Sequence, residues 1–324
     1  MNLLNALRKL YPFAGKANIT RPVYVFANRR NAGDLLSAKG VKLAVGVKGT
    51  DYIIEGNSPQ QFLKSFVGKN VRLIIGGGGL FMDTFSPFWE ATISSGIKYV
   101  LFGVGVCDIR GKKSLPPDSL LRSIVLRAEK IWVRDSRSVT LIENICGIKP
   151  SSVICPSVYY VHQKYPAPLK RNEGSRPRVL YVHHRKLVRT ANRGEDFVKN
   201  IVQEVCSLDG FDFSETDNIC RNPDRLLEKY IRSDIIVSTR LHGCVFSYAL
   251  NKPFIAISAD NKIDSFIDDY CNAVVVEMKN LSPEILSKLI RQRLSILPRR
   301  ETFPSYLEGI KNAGELIKRL FINE

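Results

Sequence analysis

Histidine is scarce in this chain, at four in 324 residues, and the seven cysteines are odd in number, scattered, and free of any Cys-x-x-Cys pair. That pattern argues against a zinc site or a disulfide frame and for reduced thiols in a cytoplasmic protein. No uninterrupted apolar run is long enough to cross a bilayer. The first ten residues lack a signal peptide's order of charge, apolar core and small cleavage residues. Zinc-finger spacing, an aromatic-rich RNA-binding signature, internal repeats and low-complexity tracts are also missing. Acidic residues are short as well, 31 against 48 lysines and arginines, which leaves a net charge of +17. Such a charge asks for an anionic partner. Phosphorylated substrates and the anionic inner face of a membrane both answer to it, and nucleic acid is not expected. Leu3, Leu4, Leu7 and Leu10 share one helical face beside Arg8 and Lys9. The stripe fits a peripheral membrane contact or packing on the protein itself.

At 324 residues there is chain enough for two domains, each with its own core. Apolar, β-branched runs predict strands over 22–27, 71–75, 99–104, 130–133 and 152–154, with helical stretches over 85–95 and 120–128 between them. Alternation of this kind implies a mostly parallel sheet with helices on both faces. A stretch rich in Pro, Lys, Arg and Gly over 163–178 interrupts it and reads as a linker. The pattern then restarts, with strands over 179–182, 211–213, 235–237, 254–257 and 273–276 and helices over 195–208 and 223–232. We therefore expect an α/β protein of two doubly wound, Rossmann-like domains, 1–168 and 169–324, facing across a cleft. The layout resembles the GT-B arrangement of glycosyltransferases. A last helix, over 306–321, is a candidate to pack back on the first domain.

The richest segment follows the strand over 235–237. Ser238, Thr239, Arg240, Leu241, His242 and Gly243 lie where a strand gives way to a helix, at the carboxyl end of a parallel sheet where α/β proteins bind ligands. The new helix offers free N–H groups and a positive dipole end. Arg240 adds a rigid fork for carboxylate or phosphate, and His242 a side chain able to move protons near neutral pH. A surface charge and a packed or capping histidine are the structural alternatives.

Gly76–Gly79 would let backbone approach a ligand without a Cβ in the way. It is no dinucleotide fingerprint, because Phe81 stands where the third glycine belongs. Asp83 is a candidate proton acceptor from a sugar hydroxyl, or a helix cap. His183, His184 and Arg185 end the first strand of the second domain. Adjacent strand residues face opposite ways, so two histidines alone do not make a metal site. Lys262, with Asn261, is placed to close the same pocket.

These pieces, taken with their order along the chain, resemble the polysaccharide pyruvyl transferase family. The resemblance runs from Asn31-Ala32-Gly33-Asp34 through Gly76–Phe81, Gly103–Val106 and Arg134-Asp135-Ser136-Arg137-Ser138. It ends at Arg240–Gly243 and Asp260-Asn261-Lys262. One position departs from it: relatives carry Asp-Pro where this chain has Cys155-Pro156. The resemblance implies pyruvate transfer from phosphoenolpyruvate to a sugar residue of a cell-surface polysaccharide or its precursor, forming a ketal. The acceptor would be lipid-linked or nucleotide-linked, and neither cofactor nor metal is called for. His242, Arg240 and Asp83 take the catalytic parts. Arg134, Ser138, Leu241, Gly243, Gly77, Gly78, Asn31, Asp34, Arg185 and Lys262 take substrate-binding ones. Two other functions stay open at this point: a GT-B glycosyltransferase using a nucleotide sugar, and a non-catalytic basic protein binding an anionic polymer.

Overall fold

Near-continuous apolar strands are the mark of a parallel sheet covered on both faces, and two such sheets form. The structure, a computed structural model, describes residues 20–107, 114–165, 175–184, 196–258, 260–271, 273–295 and 304–322. The first sheet holds β1 (Arg21–Phe26), β2 (Thr50–Ile53), β3 (Val71–Phe81), β4 (Tyr99–Val106), β5 (Ile131–Val133) and β6 (Ser151–Ser152). They run parallel in the order β2-β1-β3-β4-β5-β6. The second holds β7 (Arg178–Val182), β8 (Asp212–Thr216), β9 (Ile235–Ser238), β10 (Phe254–Ser258) and β11 (Val274–Glu277) in the order β11-β10-β9-β7-β8, again parallel. Both windings reverse direction after their second strand. Each reversal opens a crevice at the carboxyl ends, between β1 and β3 in one domain and between β7 and β9 in the other.

Helices of the first domain are α1 (Ala32–Val45), α2 (Pro59–Phe66), α3 (Ser86–Ser95), α4 (Asp118–Arg127), α5 (Ser136–Cys146) and α6 (Pro156–Lys164). Those of the second are α7 (Phe197–Asp209), α8 (Pro223–Arg232), α9 (Leu241–Ala249), α10 (Asn261–Tyr270), α11 (Pro283–Ser295) and α12 (Pro304–Ile322). The outer face of each sheet has its own buried cluster. The inner faces share one. Leu36, Val158, Phe246 and Ile310, from α1, α6, α9 and α12, belong to a single buried cluster that crosses from domain to domain. An apolar contact of this kind holds the two crevices in a fixed relation rather than on a loose hinge.

The parallel, two-sheet α/β architecture is the expected one. The expected domain boundary at 168/169 lies outside the described residues, as does the middle of the expected linker over 163–178, at 166–174. The helix α6 already covers 163 and 164. The leucine stripe near the N-terminus is likewise outside them. The last helix, α12, packs on α1 and α6 of the first domain, where the buried Arg72 donates to the Leu320 carbonyl. Among the described residues no helix is long and apolar enough to cross a membrane.

Two local features differ from expectation. Asn31 to Asp34, where no helix is predicted, open the fourteen-residue α1: Asn31 is the N-cap, and its side chain accepts from the Gly33 N–H at 3.1 Å. The glycine run does not end its strand, because β3 continues to Phe81 with a register shift between Gly78 and Phe81. Gly77 and Gly78 take φ of 73° and 121°, which side chains disfavour.

Candidate active site between the domains

The first wall of the site is the entry to α1. The loop after β8 crosses over from the second domain to meet it. Asn218 accepts from the Ala32 N–H at 2.9 Å, Cys220 donates to the Arg30 carbonyl at 2.8 Å, and Asn31 and Ile219 form an antiparallel bridge. Asn218 is fully buried in a left-handed conformation, and its side chain accepts from the Tyr230 hydroxyl at 2.8 Å. One helix start is thus fixed by both domains.

The opposite wall is the turn from β9 into α9. Ser238 Oγ accepts from the Arg240 N–H at 3.0 Å and donates to the Arg240 carbonyl at 2.9 Å, which closes the strand end. Arg240 is the N-cap of α9 but makes no side-chain capping bond. Among the described residues, the N–H groups of Leu241 and His242 have no acceptor. Open helix donors of this kind suit an anion. Gly243 packs directly on the strand end, and a Cβ there would stand 2.0 Å from Ser238 Oγ.

His242 spans the two walls. Its ring lies so close to α1 that a Cβ on Gly33 would stand 2.0 Å from its Nδ1, and its Nε2 is 3.8 Å from Cys155 Sγ. The buried thiol also contacts Ser37 Oγ at 3.3 Å and Ser157 Oγ at 3.1 Å. The departure from Asp-Pro therefore falls beside His242 and places a thiol there. Gly33→Ala should push the ring away. Helix propensity favours alanine by about 1 kcal/mol, so any loss is steric and not a loss of helix. We expect Gly33→Ala to lower turnover at least about tenfold in the wild type, through a misplaced ring. In a His242→Ala background it should cost nothing more, which a double-mutant cycle measures.

Three cations surround this contact. Arg134 is only 2% exposed; its Nε meets Asp135 Oδ2 at 3.2 Å and its Nη2 the Val106 carbonyl at 3.4 Å. Burial works against that charge, but Asp135, Cys155 and Cys107 outweigh it and hold the pKa above the usual arginine value. Lys262 reaches across from α10, with Nζ 3.2 Å from Asp260 Oδ2 and 3.5 Å from Cys107 Sγ. Arg240 is different. It forms no ion pair among the described residues, and burial lowers its pKa against the pull of Tyr230, Asp217 and Asp34. Its fork is open among the described residues, whereas that of Arg134 is taken up by Asp135 and a carbonyl.

Two titratable groups feel all three cations. His242 is held well below its usual pKa by burial first and then by Arg134, Arg240 and Lys262. Asp34, in the first turn of α1, is 8% exposed and pushed up to about 7 by burial and by Glu55, against the opposite pull of Arg240, Arg134 and Lys262. A Cβ on Gly78 would stand 2.8 Å from its Oδ1, so the glycine run makes room for this carboxyl.

The remaining residues named from the sequence fall around this centre. Ser138 is buried with its hydroxyl committed, donating to Asp135 Oδ1 at 2.5 Å and accepting from the Val106 N–H at 3.0 Å. It braces the Arg134–Asp135 pair. Leu241 is buried at the foot of α9. Asp83 is exposed and accepts from the Ser86 hydroxyl at 3.0 Å without capping the helix that follows, and no contact with the cation cluster appears among the described residues. His184 donates its N–H to Thr239 Oγ1 at 2.8 Å, and Arg185 lies outside the described residues. Among the described residues no three His, Cys, Asp or Glu side chains cluster as metal ligands would. Cys107 and Glu55 were not singled out, and Asp260 was named only as part of a motif. Cys107 directly follows a parallel strand's carboxyl end, and that position was its available signal.

Two doubly wound domains meeting at such a cleft form the GT-B architecture. It is shared with UDP-GlcNAc 2-epimerase from Methanocaldococcus jannaschii, in complex with UDP-GlcNAc and UDP, at a TM-score of 0.58 and 12% identity. That match covers 94% of this chain and 100% of that one. The UDP-GlcNAc 2-epimerase from Neisseria meningitidis, bound to UDP-GlcNAc, matches at a TM-score of 0.53 and 13% identity, with the same coverages of 94% and 100%. At these identities the likeness concerns the fold alone. No curated protein matches the sequence. Residues 31–261 match the profile of polysaccharide pyruvyl transferase, and the chain belongs to that family.

Proposed function

We propose that this protein transfers pyruvate from phosphoenolpyruvate to a sugar residue of a cell-surface polysaccharide or its precursor, forming a cyclic ketal. The observation that supports this best is the convergence of one unpaired arginine, two further cations and two titratable groups at open helix donors. A donor carrying both carboxylate and phosphate needs several cationic contacts. Arg240 offers the free fork, Lys262 a second contact, and Arg134 the charge behind them. The chemistry asks for a proton at the donor's methylene carbon. Two sugar hydroxyls then add in turn at the adjacent carbon, and phosphate leaves. Proton transfer therefore needs both a donor and an acceptor group, for which His242 and Asp34 are at hand.

Incubation with phosphoenolpyruvate and lipid-linked or nucleotide-linked saccharides should release phosphate and add a pyruvate increment to the glycan, read by mass spectrometry. In heavy water the ketal methyl group should carry one solvent deuterium. Release of a nucleotide from a sugar nucleotide, without phosphate from phosphoenolpyruvate, would replace this function with glycosyl transfer.

A further inference from the structure

A carboxyl group that is buried, unpartnered and ringed by cations is unusual enough to ask what it does. Asp34 makes no hydrogen bond or ion pair among the described residues, although Arg240, Arg134 and Lys262 all act on it. The cations have other uses: Arg134 is paired with Asp135 and Lys262 with Asp260. Glu55 acts on Asp34 with like charge, and His242 packs on the preceding residue, Gly33. Burial and Glu55 outweigh the pull of the cations, so the charged Asp34 carboxylate is a net cost to the folded protein. A structural aspartate at this point of a helix would cap it, yet Asn31 already does so.

We propose that Asp34 is the acid that protonates the donor's methylene carbon, and that His242 is the base that accepts the acceptor's first hydroxyl proton. This assignment rests on the pyruvyl transfer proposed above and moves Asp34 from a binding part to a catalytic one. The protons balance. Asp34 gives its proton to the methylene carbon, and the first hydroxyl adds at the neighbouring carbon while His242 takes its proton. The carbon–oxygen bond to phosphate breaks, and His242 passes its proton to the departing phosphate. The second hydroxyl adds and its proton restores Asp34. The resting states agree with these parts: Asp34, pushed up to about 7, keeps much of its proton near neutrality, whereas His242, held well below its usual value, is neutral. A bound donor with anionic carboxylate and phosphate favours the protonated form of Asp34 further.

Asp34→Asn keeps the shape of the side chain and removes the proton. We expect turnover to fall by about 10² or more, with the donor's Kd unchanged or lower, because a negative charge leaves the cation cluster. The residual rate against pH separates the roles. With His242 as base, Asp34→Asn should rise out of the acid range and stay level above pH 7, without the fall shown by the wild type there. Folding is checked independently. A carboxyl whose pKa rises from 3.8 to about 7 on folding loses the native state stability as pH climbs through that window, so Asp34→Asn should melt higher than wild type above pH 7. Near-wild-type turnover in Asp34→Asn, or a residual rate that falls steadily as pH rises from the acid side, would overturn the assignment alone. A wild-type protein that releases no phosphate from phosphoenolpyruvate would overturn the function beneath it.

Discussion

His242→Gln and His242→Ala should each lower turnover by roughly 10²–10⁴-fold, the range typical of removing an acid or base from a transition state. Donor affinity should change far less, since Arg240, Lys262 and Arg134 carry the anion's charge. The sign of the pH dependence follows from the depressed pKa. Burial and the three cations keep His242 neutral at pH 7, so its protonation limits the wild type only well on the acid side. The glutamine variant should lose that acid-side fall along with most of its rate. Stability should move the other way. The unfolded chain protonates this histidine near 6.5 and the folded protein resists it, so acid weakens the wild type through a term that His242→Gln lacks. Comparing the two melting temperatures from pH 7 down to pH 5 measures that term. A fully active His242→Gln protein would leave the ring a packing role against Gly33 and Phe246, at 5.8 Å between ring centroids in the latter case.

How much of this site can be read from the sequence depends on whether its geometry is local. The strand-to-helix turn at Ser238–Gly243 is legible because a β-branched run, polar residues and a helical pattern follow one another without a gap. The strands β1, β3, β4, β7, β9 and β10 are legible for the same reason: buried on both faces, they are unbroken apolar runs. The helix α1 is not. Ala32, Leu36, Gly40, Val41, Ala44 and Val45 are all buried, as are Asp34, Ser37 and Ala38, so no polar face marks the helical period. A helix packed against a sheet on one side and against α6 and α12 on others reads as a featureless small-residue stretch. The two-residue β6 and the short β2 likewise offer too little period to show.

Contacts between the domains are hidden more deeply. Asp34 could be named from its motif as a binding residue, but its burial among three cations follows from the approach of α9 and α10 to α1. The nearness of Cys155 to His242 joins positions 87 residues apart. Its only trace in sequence was the departure from Asp-Pro, which flagged the position without saying what lay beside it. The clamp at Asn218–Cys220 had no trace at all, since backbone groups make it. Arg134 shows the reverse case. A motif marked it for anion contact, while the structure places its fork on Asp135 and a carbonyl.

Arg240→Lys should therefore be far from conservative, and more damaging to donor use than its unchanged charge suggests. The guanidinium presents two parallel N–H donors to a carboxylate or phosphate, which an ammonium group cannot reproduce. Arg240 is also the cation in the cluster without a carboxylate partner among the described residues, so its hydrogen bonds remain available for the ligand. Burial already lowers its pKa; a lysine in the same place, starting about two units lower, would hold its proton less firmly. We expect Arg240→Lys to cost about 2 kcal/mol or more in kcat/KM, roughly thirtyfold. Arg240→Ala should cost more than that. The loss should divide between donor binding and turnover, because the same fork also follows phosphate as its bond breaks. Steady-state kinetics against donor concentration, together with a direct donor Kd for each variant, separate the two contributions. Near-normal kcat/KM in both variants would remove Arg240 from the donor site and leave Lys262 and the open N–H groups of α9 to hold the anion.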